Sequence, residues 1–432
     1  MDINNREYAA IIWFLIVFSL LMIKKDIRKA VSELLRVLMH KQIIMVFSGA
    51  LAWIVICISI LNKIEVWSIN NLKTTVVWII TFAFAALFKT KEIEKDVNYF
   101  KNQVKNIFKI TVILTFIMEL HSFSLPFEFV LWAIIIMLSL MIAVGEMKEH
   151  TKKLSQFMTY ILAVVVIFYF IHSLYLSSIS LSETFSKNNI TEFLIPIILS
   201  LVFLPFVYLF YLYQSYELAF VGLKFKLNDS ISLKKTMLMA VFNFRSNIDG
   251  LRRWVREIGN EDDTFQLKKK IKEIKERMYN ECYPPSVLPS NGWSPYMAMN
   301  FLLDINLVTN DYHPQDNEWW ASSKMLEIGD EEIIRDNISY YIYGGKDVVK
   351  CLKLRAHINN VPIANSSTEF ITLACSILLK KSAPNIDLDI ENTLHTLNDF
   401  SVEYEGYNIS LDREDFVGSI KGYTLNLVIS MK

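Results

Sequence analysis

Seven apolar runs in the first half of the chain limit what it can fold into, and the last of them, residues 193–213, is the clearest. It holds 21 nearly uncharged residues, which at about 1.5 Å per residue match a hydrocarbon core roughly 30 Å thick. Pro196 and Pro205 lie inside it. Each lacks an N–H and crowds the carbonyl one turn back, so the pair marks a membrane hinge. Tyr208, Tyr211, Tyr213 and Tyr216 gather at its C-terminal end, where an apolar ring with a polar tip suits the headgroup level.

The other six runs are residues 8–23, 43–61, 75–88, 110–125, 127–145 and 157–176, the third and fourth of them short. Together they predict an α-helical polytopic membrane bundle of about seven transmembrane helices in the bilayer. The start, MDINNREY, has neither a basic leader nor a small-residue cleavage site, so the first run is expected to stay as a helix. Connecting loops alternate in charge. Those after the first, third and fifth runs carry Lys24, Lys25, Arg28, Lys29, Arg36 and Lys41, then Lys89, Lys91, Lys95, Lys101, Lys105 and Lys109, then Lys148, Lys152 and Lys153. Intervening loops hold Lys63 and Lys73, then no cation, then Lys187. Because cationic loops stay on the cytoplasmic side, this alternation predicts an inner-membrane protein with its N-terminus outside and its C-terminus cytoplasmic.

Two inner loops have helical patterning of their own. In residues 26–39, Ile27, Ala30, Val31, Leu34, Leu35 and Leu38 share one face while Arg28, Lys29, Glu33 and Arg36 lie opposite, as in an amphipathic helix lying on the inner leaflet, with a continuation of the transmembrane helices into the cytoplasm as the equal alternative. Residues 91–108 repeat the pattern less cleanly.

After Lys226 the character of the chain changes. The whole sequence is 53% hydrophobic with a mean hydropathy of +0.31, yet 20% of it is charged, so a soluble part must accompany the membrane part. Residues 1–217 read as the transmembrane helical domain, 218–285 as a membrane-proximal helical linker and 286–432 as a cytoplasmic α+β domain with an antiparallel sheet. Residues 230–258 and 262–279 predict two basic helices whose cations read as a solvated face, with contact to anionic headgroups as the alternative, and Pro284, Pro285 and Pro289 end the linker. Ser294-Pro295 opens a helix over 296–306, and 309–318 reads as a polar loop. Residues 338–343 and 348–358 flank Gly344-Gly345 as a hairpin, helices follow at 368–381 and 389–397, and strands at 402–404, 407–411 and 423–429.

Lys plus Arg equals Asp plus Glu at 44 each, and there is no nucleic-acid signature. Cys57, Cys282, Cys351 and Cys375 have no metal-ligand spacing, so all four are expected as reduced packing residues. The sequence carries no phosphate-binding glycine loop, dinucleotide fingerprint, zinc-hydrolase motif or nucleophile elbow, and no cofactor is implied.

The densest polar cluster surrounds His313. Asp311, His313, Asp316 and Glu318 supply carboxylate and imidazole, the ligand types of a divalent-metal site, though their spacing fits no established metal loop and a polar loop anchored by tryptophans explains them as well. Trp293, Tyr312, His313, Trp319 and Trp320 are candidates for a ligand or partner groove, since aromatic side chains give large contact area at low entropy cost; core packing is the competing role. In the membrane part, Glu119, His121, Glu128 and His172 sit near the outer ends of their segments, close enough to water that they argue for no ion pathway, although the histidines suit a pH-tuned gate.

Two groups of segments carry a resemblance. SFSLPFEFVLWAIIIML, VGEMKEHTKKL and FLIPIILSLVFLPFVYLFYLYQSYE resemble a membrane module of uncharacterised bacterial multi-pass proteins. GWSPYMAMNFLLDINLVTNDYHP, EWWASS, NISYYIYGGKDVVKCLKLRAHINN and REDFVGSIKGYTLNLVI are similar to a small α+β domain of bacterial proteins of unknown function. The resemblance implies a bacterial, modular protein and transfers no functional residue. Without catalytic signatures, such a pairing is expected to be a sensor or effector in a stress-response or anti-phage defence system, with a protein partner on the cytoplasmic side; a homo-oligomer is compatible with it. A transporter or channel, and a metal-dependent hydrolase built on Asp311, His313 and Glu318, are the alternatives.

Overall fold

A computed structural model describes residues 4–96, 98–147, 151–227, 230–260, 262–315, 317–329, 335–359, 365–384, 397–404, 406–416 and 422–431. The chain forms two compact units, Met1–Tyr216 and Glu217–Lys432. The region expected as a linker therefore belongs to the second unit, together with the sheet.

The first unit is helical: α1 (Asn5–Leu21), α2 (Lys25–Leu38), α3 (Lys41–Lys63), α4 (Leu72–Trp78), α5 (Phe84–Phe88), α6 (Thr90–Lys95), α7 (Tyr99–Ile107), α8 (Ile110–Leu120), α9 (Leu125–Glu146), α10 (Lys152–Ile179), α11 (Leu181–Thr184) and most of α12 (Lys187–Lys226). Among the described residues five helices are long and apolar enough to cross a membrane: Lys41–Lys63, Ile69–Phe88, Leu125–Glu146, Lys152–Ile179 and Lys187–Lys226. The second of these runs through α4 and α5 with a π-helical turn between them. The first and fourth apolar runs fall in helices of 17 and 11 residues, short of the roughly 20 needed to span. The fourth stops because the chain turns extended at His121 before Pro126 opens α9 in its first turn.

Packing follows the apolar stripes. Ala50 and Ile54 of α3, Trp78, Ala83 and Leu87, and Ile195, Leu199, Phe203 and Val207 of α12 form one buried cluster. α12 continues through both Pro196 and Pro205. Pro205 deprives the Leu201 carbonyl of its helical donor, and Trp53 Nε1 donates to the adjacent Val202 carbonyl at 3.0 Å. Between α9 and α10 the backbones approach closely: a Cβ on Gly145 would lie 2.9 Å from Ser155 Cβ, the small-residue contact that membrane helices use in place of hydrophobic collapse.

The second unit holds the end of α12, then α13 (Ser230–Phe244), α14 (Ile248–Glu257), α15 (Thr264–Cys282), α16 (Pro295–Ala298) and α17 (Asn365–Ser382). The single helix expected over 230–258 is two helices, because Arg245 takes a left-handed φ of 48° and the Asn247 side chain caps α14 by accepting from Gly250 N at 2.9 Å. The helix expected over 296–306 ends at Ala298; the Thr309 N–H takes the Met299 carbonyl and turns the chain back.

The strands are β1 (Thr309–Gln315), β2 (Glu318–Ser323), β3 (Leu326–Ile328), β4 (Asp336–Gly344), β5 (Val349–Ile358), β6 (Phe400–Tyr404), β7 (Tyr407–Asp415) and β8 (Tyr423–Met431). All pairs are antiparallel. They order β1-β2-β4-β5-β8-β7-β6, with β3 beside β4. Leu352, Leu354, Ala356 and Ile358 alternate inward from β5 as their period of two requires. Ile371, Ala374, Cys375, Leu378 and Leu379 of α17 are buried with them, at the spacing of one helix face. The stretch expected as a polar loop is the β1/β2 hairpin, and the helix expected over 389–397 lies outside the described residues except at Leu397. Gly292, with φ of 132°, is required where it stands, since a Cβ there would meet the Val349 carbonyl at 2.3 Å, beside the backbone bridge between Trp293 and Val349.

Candidate functional site

Residue 311 is where the sheet meets the basic helices. β1 pairs with β2 in regular register except between Asn310 and His313, where one extra residue bulges out. Asp311, inside the bulge, adopts φ of 60°, a left-handed geometry that Asp tolerates better than most residues. The bulge turns its carboxylate, 9% exposed, toward three guanidinium groups. Arg253 lies at 3.4 Å, Arg277 at 3.9 Å, and Arg256 in direct contact. Further carboxylates balance the arginines. Glu281 grips Arg253 in a two-pronged contact of 2.5 and 3.1 Å, Asp249 reaches it at 2.7 Å, and Glu257 holds Arg277 at 2.5 Å. Three cations and four anions thus interlock across α14, α15 and β1, with one negative charge in excess. Arg253 and Arg277 are only 7% and 5% exposed, so neither charge is affordable without its partners.

His313 borders this network. Its Nδ1 lies 2.7 Å from the Asp311 carbonyl, and because a carbonyl only accepts, the neutral ring carries its proton on Nδ1. Burial, reinforced by the nearby Arg256, pushes the imidazole down to about 4, so it is uncharged at neutral pH.

The other candidate residues separate into two places. Tyr312 is buried and donates its hydroxyl to the Gly345 carbonyl at 2.8 Å. Its ring lies 5.7 Å from that of Trp319, over which the Arg277 guanidinium also sits. Trp320 packs 5.7 Å from His313. These four therefore form two pairs, Tyr312 with Trp319 and His313 with Trp320, on opposite faces of the hairpin. Trp293 is elsewhere: it donates to the Ser382 carbonyl at 2.9 Å and stacks on Tyr407. Among the metal candidates, Asp311 faces guanidinium groups, Glu318 is exposed opposite Gln315 at the hairpin end, about 13 Å along the strand, and Asp316 lies outside the described residues. Among the described residues no group of three or more His, Cys, Asp or Glu is placed to hold a metal.

Lys226 extends the network toward the membrane helix. At the last residue of α12, its Nζ donates to the Val255, Arg256 and Ile258 carbonyls at 2.9, 2.7 and 2.8 Å. It caps the C-terminal end of α14, where the orphan carbonyls and the helix dipole favour a cation. The sequence offers Lys226 only as one cation among many.

A second charged network occupies the first unit. Glu128 is fully buried, accepts from the Tyr169 hydroxyl at 2.7 Å and from Phe123 N at 2.9 Å, and lies 3.4 Å from Arg6. Arg6 also donates to the Met118 and His121 carbonyls at 2.6 and 3.0 Å, tying α1 to α8, α9 and α10. The His172 ring stacks on Phe123 with centroids 3.7 Å apart. Beside this network lies a cavity of about 540 Å³ whose lining includes Arg6, Glu7, Lys73, Glu119, Glu192 and Pro196. Lys73 and Glu7 pair within it at 3.1 Å. Comparison with known proteins gives no matching family model, no matching curated protein and no matching solved structure.

Proposed function

We propose that the protein is a membrane-embedded signalling protein in which the sheet unit recognises a protein or ligand and the helical bundle responds. The observation that carries this reading is the run of polar contacts from Lys226, at the end of a membrane-length helix, through α14 to Arg253, Arg256 and Asp311 on the edge of the sheet. A ligand that prefers one arrangement of the β1/β2 edge would shift α14 and the end of α12 with it, by as much as it discriminates between the two arrangements. The partly exposed pair of His313 and Trp320 beside that edge is the surface we assign to recognition.

In this reading the bundle has seven spans, α1 and α8 completing the count, with the N-terminus outside and the sheet unit in the bacterial cytoplasm. Reporter fusions after Gly145 and Lys432 test it, and a periplasmic C-terminus overturns it. The setting we favour is a stress-response or anti-phage system. Expression with the neighbouring genes should protect cells from phage or depolarise them on infection, and Lys226→Met should abolish that response at unchanged protein abundance. Cells that are neither protected nor depolarised refute the setting. The cavity beside Arg6 and Glu192 favours a second reading, a transporter or channel. Proteoliposome flux that persists in Lys226→Met, with no dependence on any cytoplasmic partner, would select it.

A further inference from the structure

α2 is a helix that the described residues of the first unit leave largely uncovered. It has 14 residues and none is buried. Leu34, Leu35 and Val37 are 58%, 56% and 57% exposed, a large apolar surface for a single short helix. At 100° per residue Ile27, Val31, Leu34, Leu35 and Leu38 fall on one side, and Lys25, Arg28, Lys29 and Arg36 fall on the other. Asp26 and Glu33 are the acidic groups on the helix, and Lys29 pairs with Glu33 at 4.0 Å on the open surface, a contact of little energetic weight. Lys24 and Lys41 flank it.

What meets this face is constrained at both ends. Three residues separate α2 from the apolar α1, and two separate it from α3, a helix long and apolar enough to span. Links so short keep both ends of α2 near the start of α3, which in the membrane reading proposed above is the boundary between headgroups and hydrocarbon. A helix held there with one apolar and one cationic side lies in the interface plane, its apolar side among acyl chains and its lysines and arginines extended to the headgroups.

We infer that α2 is a binding surface for anionic lipid headgroups. The charge pattern selects their sign: four cations against two anions within the helix, and six against two with the flanking lysines. Neutral lipid satisfies the apolar side alone, whereas anionic lipid satisfies both, by attraction that grows with each cation near the surface and falls off within a Debye length.

The test is hydrogen exchange on the full chain in nanodiscs of neutral phosphatidylcholine and in discs in which three lipids in ten are phosphatidylglycerol, each at low and at high salt. Amides of α2 should exchange about tenfold more slowly in the anionic discs at low salt, with the difference lost at high salt and lost in R28E/K29E/R36E. The α3 amides serve as the internal standard that the variant remains folded. L34S/L35S should remove protection in both lipids. Equal protection in neutral and anionic discs overturns the inference. So does protection that rises with the number of protein copies per disc rather than with anionic content, since a second copy would then be the cover.

Discussion

Replacing Asp311 by Asn removes one charge from the arginine network and little else, because the amide keeps the shape of the side chain and Asn tolerates the φ of 60° that the bulge imposes. Breaking a buried ion pair by removing one partner costs about 3 to 5 kcal/mol. Here the cost is smaller, since Arg253 keeps Glu281 at 2.5 Å and Arg277 keeps Glu257 at 2.5 Å, while Arg256, half exposed at 51%, turns to water. What is lost is the attraction at 3.4 and 3.9 Å that offsets the mutual repulsion of three guanidinium groups, for which about 2 to 3 kcal/mol is a reasonable magnitude. At about 1.4 kcal/mol per tenfold this is roughly 30- to 150-fold. Hydrogen exchange on the full chain in detergent should show that acceleration together in β1, α14 and α15, with peptides of α3 unchanged. Asp311→Ala should cost about 1 kcal/mol more, because a left-handed φ disfavours a side chain that makes no local hydrogen bond. Exchange in Asp311→Asn within twofold of the wild type, or acceleration confined to β1, would refute the idea that this carboxylate joins the helices to the sheet.

Lys226→Met removes three hydrogen bonds at the end of α14 and should destabilise that end by about 2 kcal/mol, speeding exchange of the last α14 amides while β8 stays protected. His313 gives a pH signature: its folded value of about 4 lies below the unfolded value of roughly 6.5, so the unfolded chain binds the extra proton. Stability of the sheet unit should then be constant above about pH 7 and fall as pH drops from 6.5 toward 4, by up to about 3 kcal/mol; His313→Phe should flatten that slope in denaturation curves. Gly145→Leu places a side chain where Ser155 Cβ is already 2.9 Å from an added Cβ, and should cost about 1 to 3 kcal/mol by overpacking, read as a lower melting temperature in detergent; an unchanged melt refutes the close approach. Glu128→Leu strands the largely buried Arg6 and should cost about 3 to 5 kcal/mol, whereas Tyr169→Phe loses one hydrogen bond and about 1 kcal/mol.

Periodicity made much of this fold legible. β4, β5, β7, β8 and α17 follow from alternation or helical spacing because each buries one regular face against a common core. The β1/β2 hairpin reads as a loop because Asn310, Asp311, Pro314 and Asn317 are poor strand residues, and because the bulge puts Asp311 and Tyr312 against a single partner position, breaking the alternation at its centre. The break between α13 and α14 has no glycine or proline to announce it; it rests on the strained Arg245 and the Asn247 cap. Five of the seven apolar runs meet the length a span requires. α1 and α8 fall short of it, and a count of apolar letters does not register the capping box at Asn4 or the extended residues after Leu120 that fix their ends.

Charged residues were harder to place than apolar ones, for a physical reason. An apolar residue declares its role by itself, since leaving water is favourable wherever it happens, whereas a buried charge is intelligible only with its partner, and the partners here are distant in sequence. Arg6 meets the Met118 carbonyl 112 residues away, and Arg277 meets the Tyr312 carbonyl 35 residues away. The arginines of α14 and α15 read as an ordinary solvated face until the bulge at Asp311 supplies the anion that buries them. The hinge suggested by Pro196 and Pro205 is altered by the same logic. α12 runs helical through both prolines, so any transmitted change need not bend it there, and Lys226 provides a specific point of attachment thirteen residues beyond the apolar run. In the reading proposed above, disconnecting α12 from α14 at Lys226 therefore separates recognition from response while leaving both prolines of α12 in place.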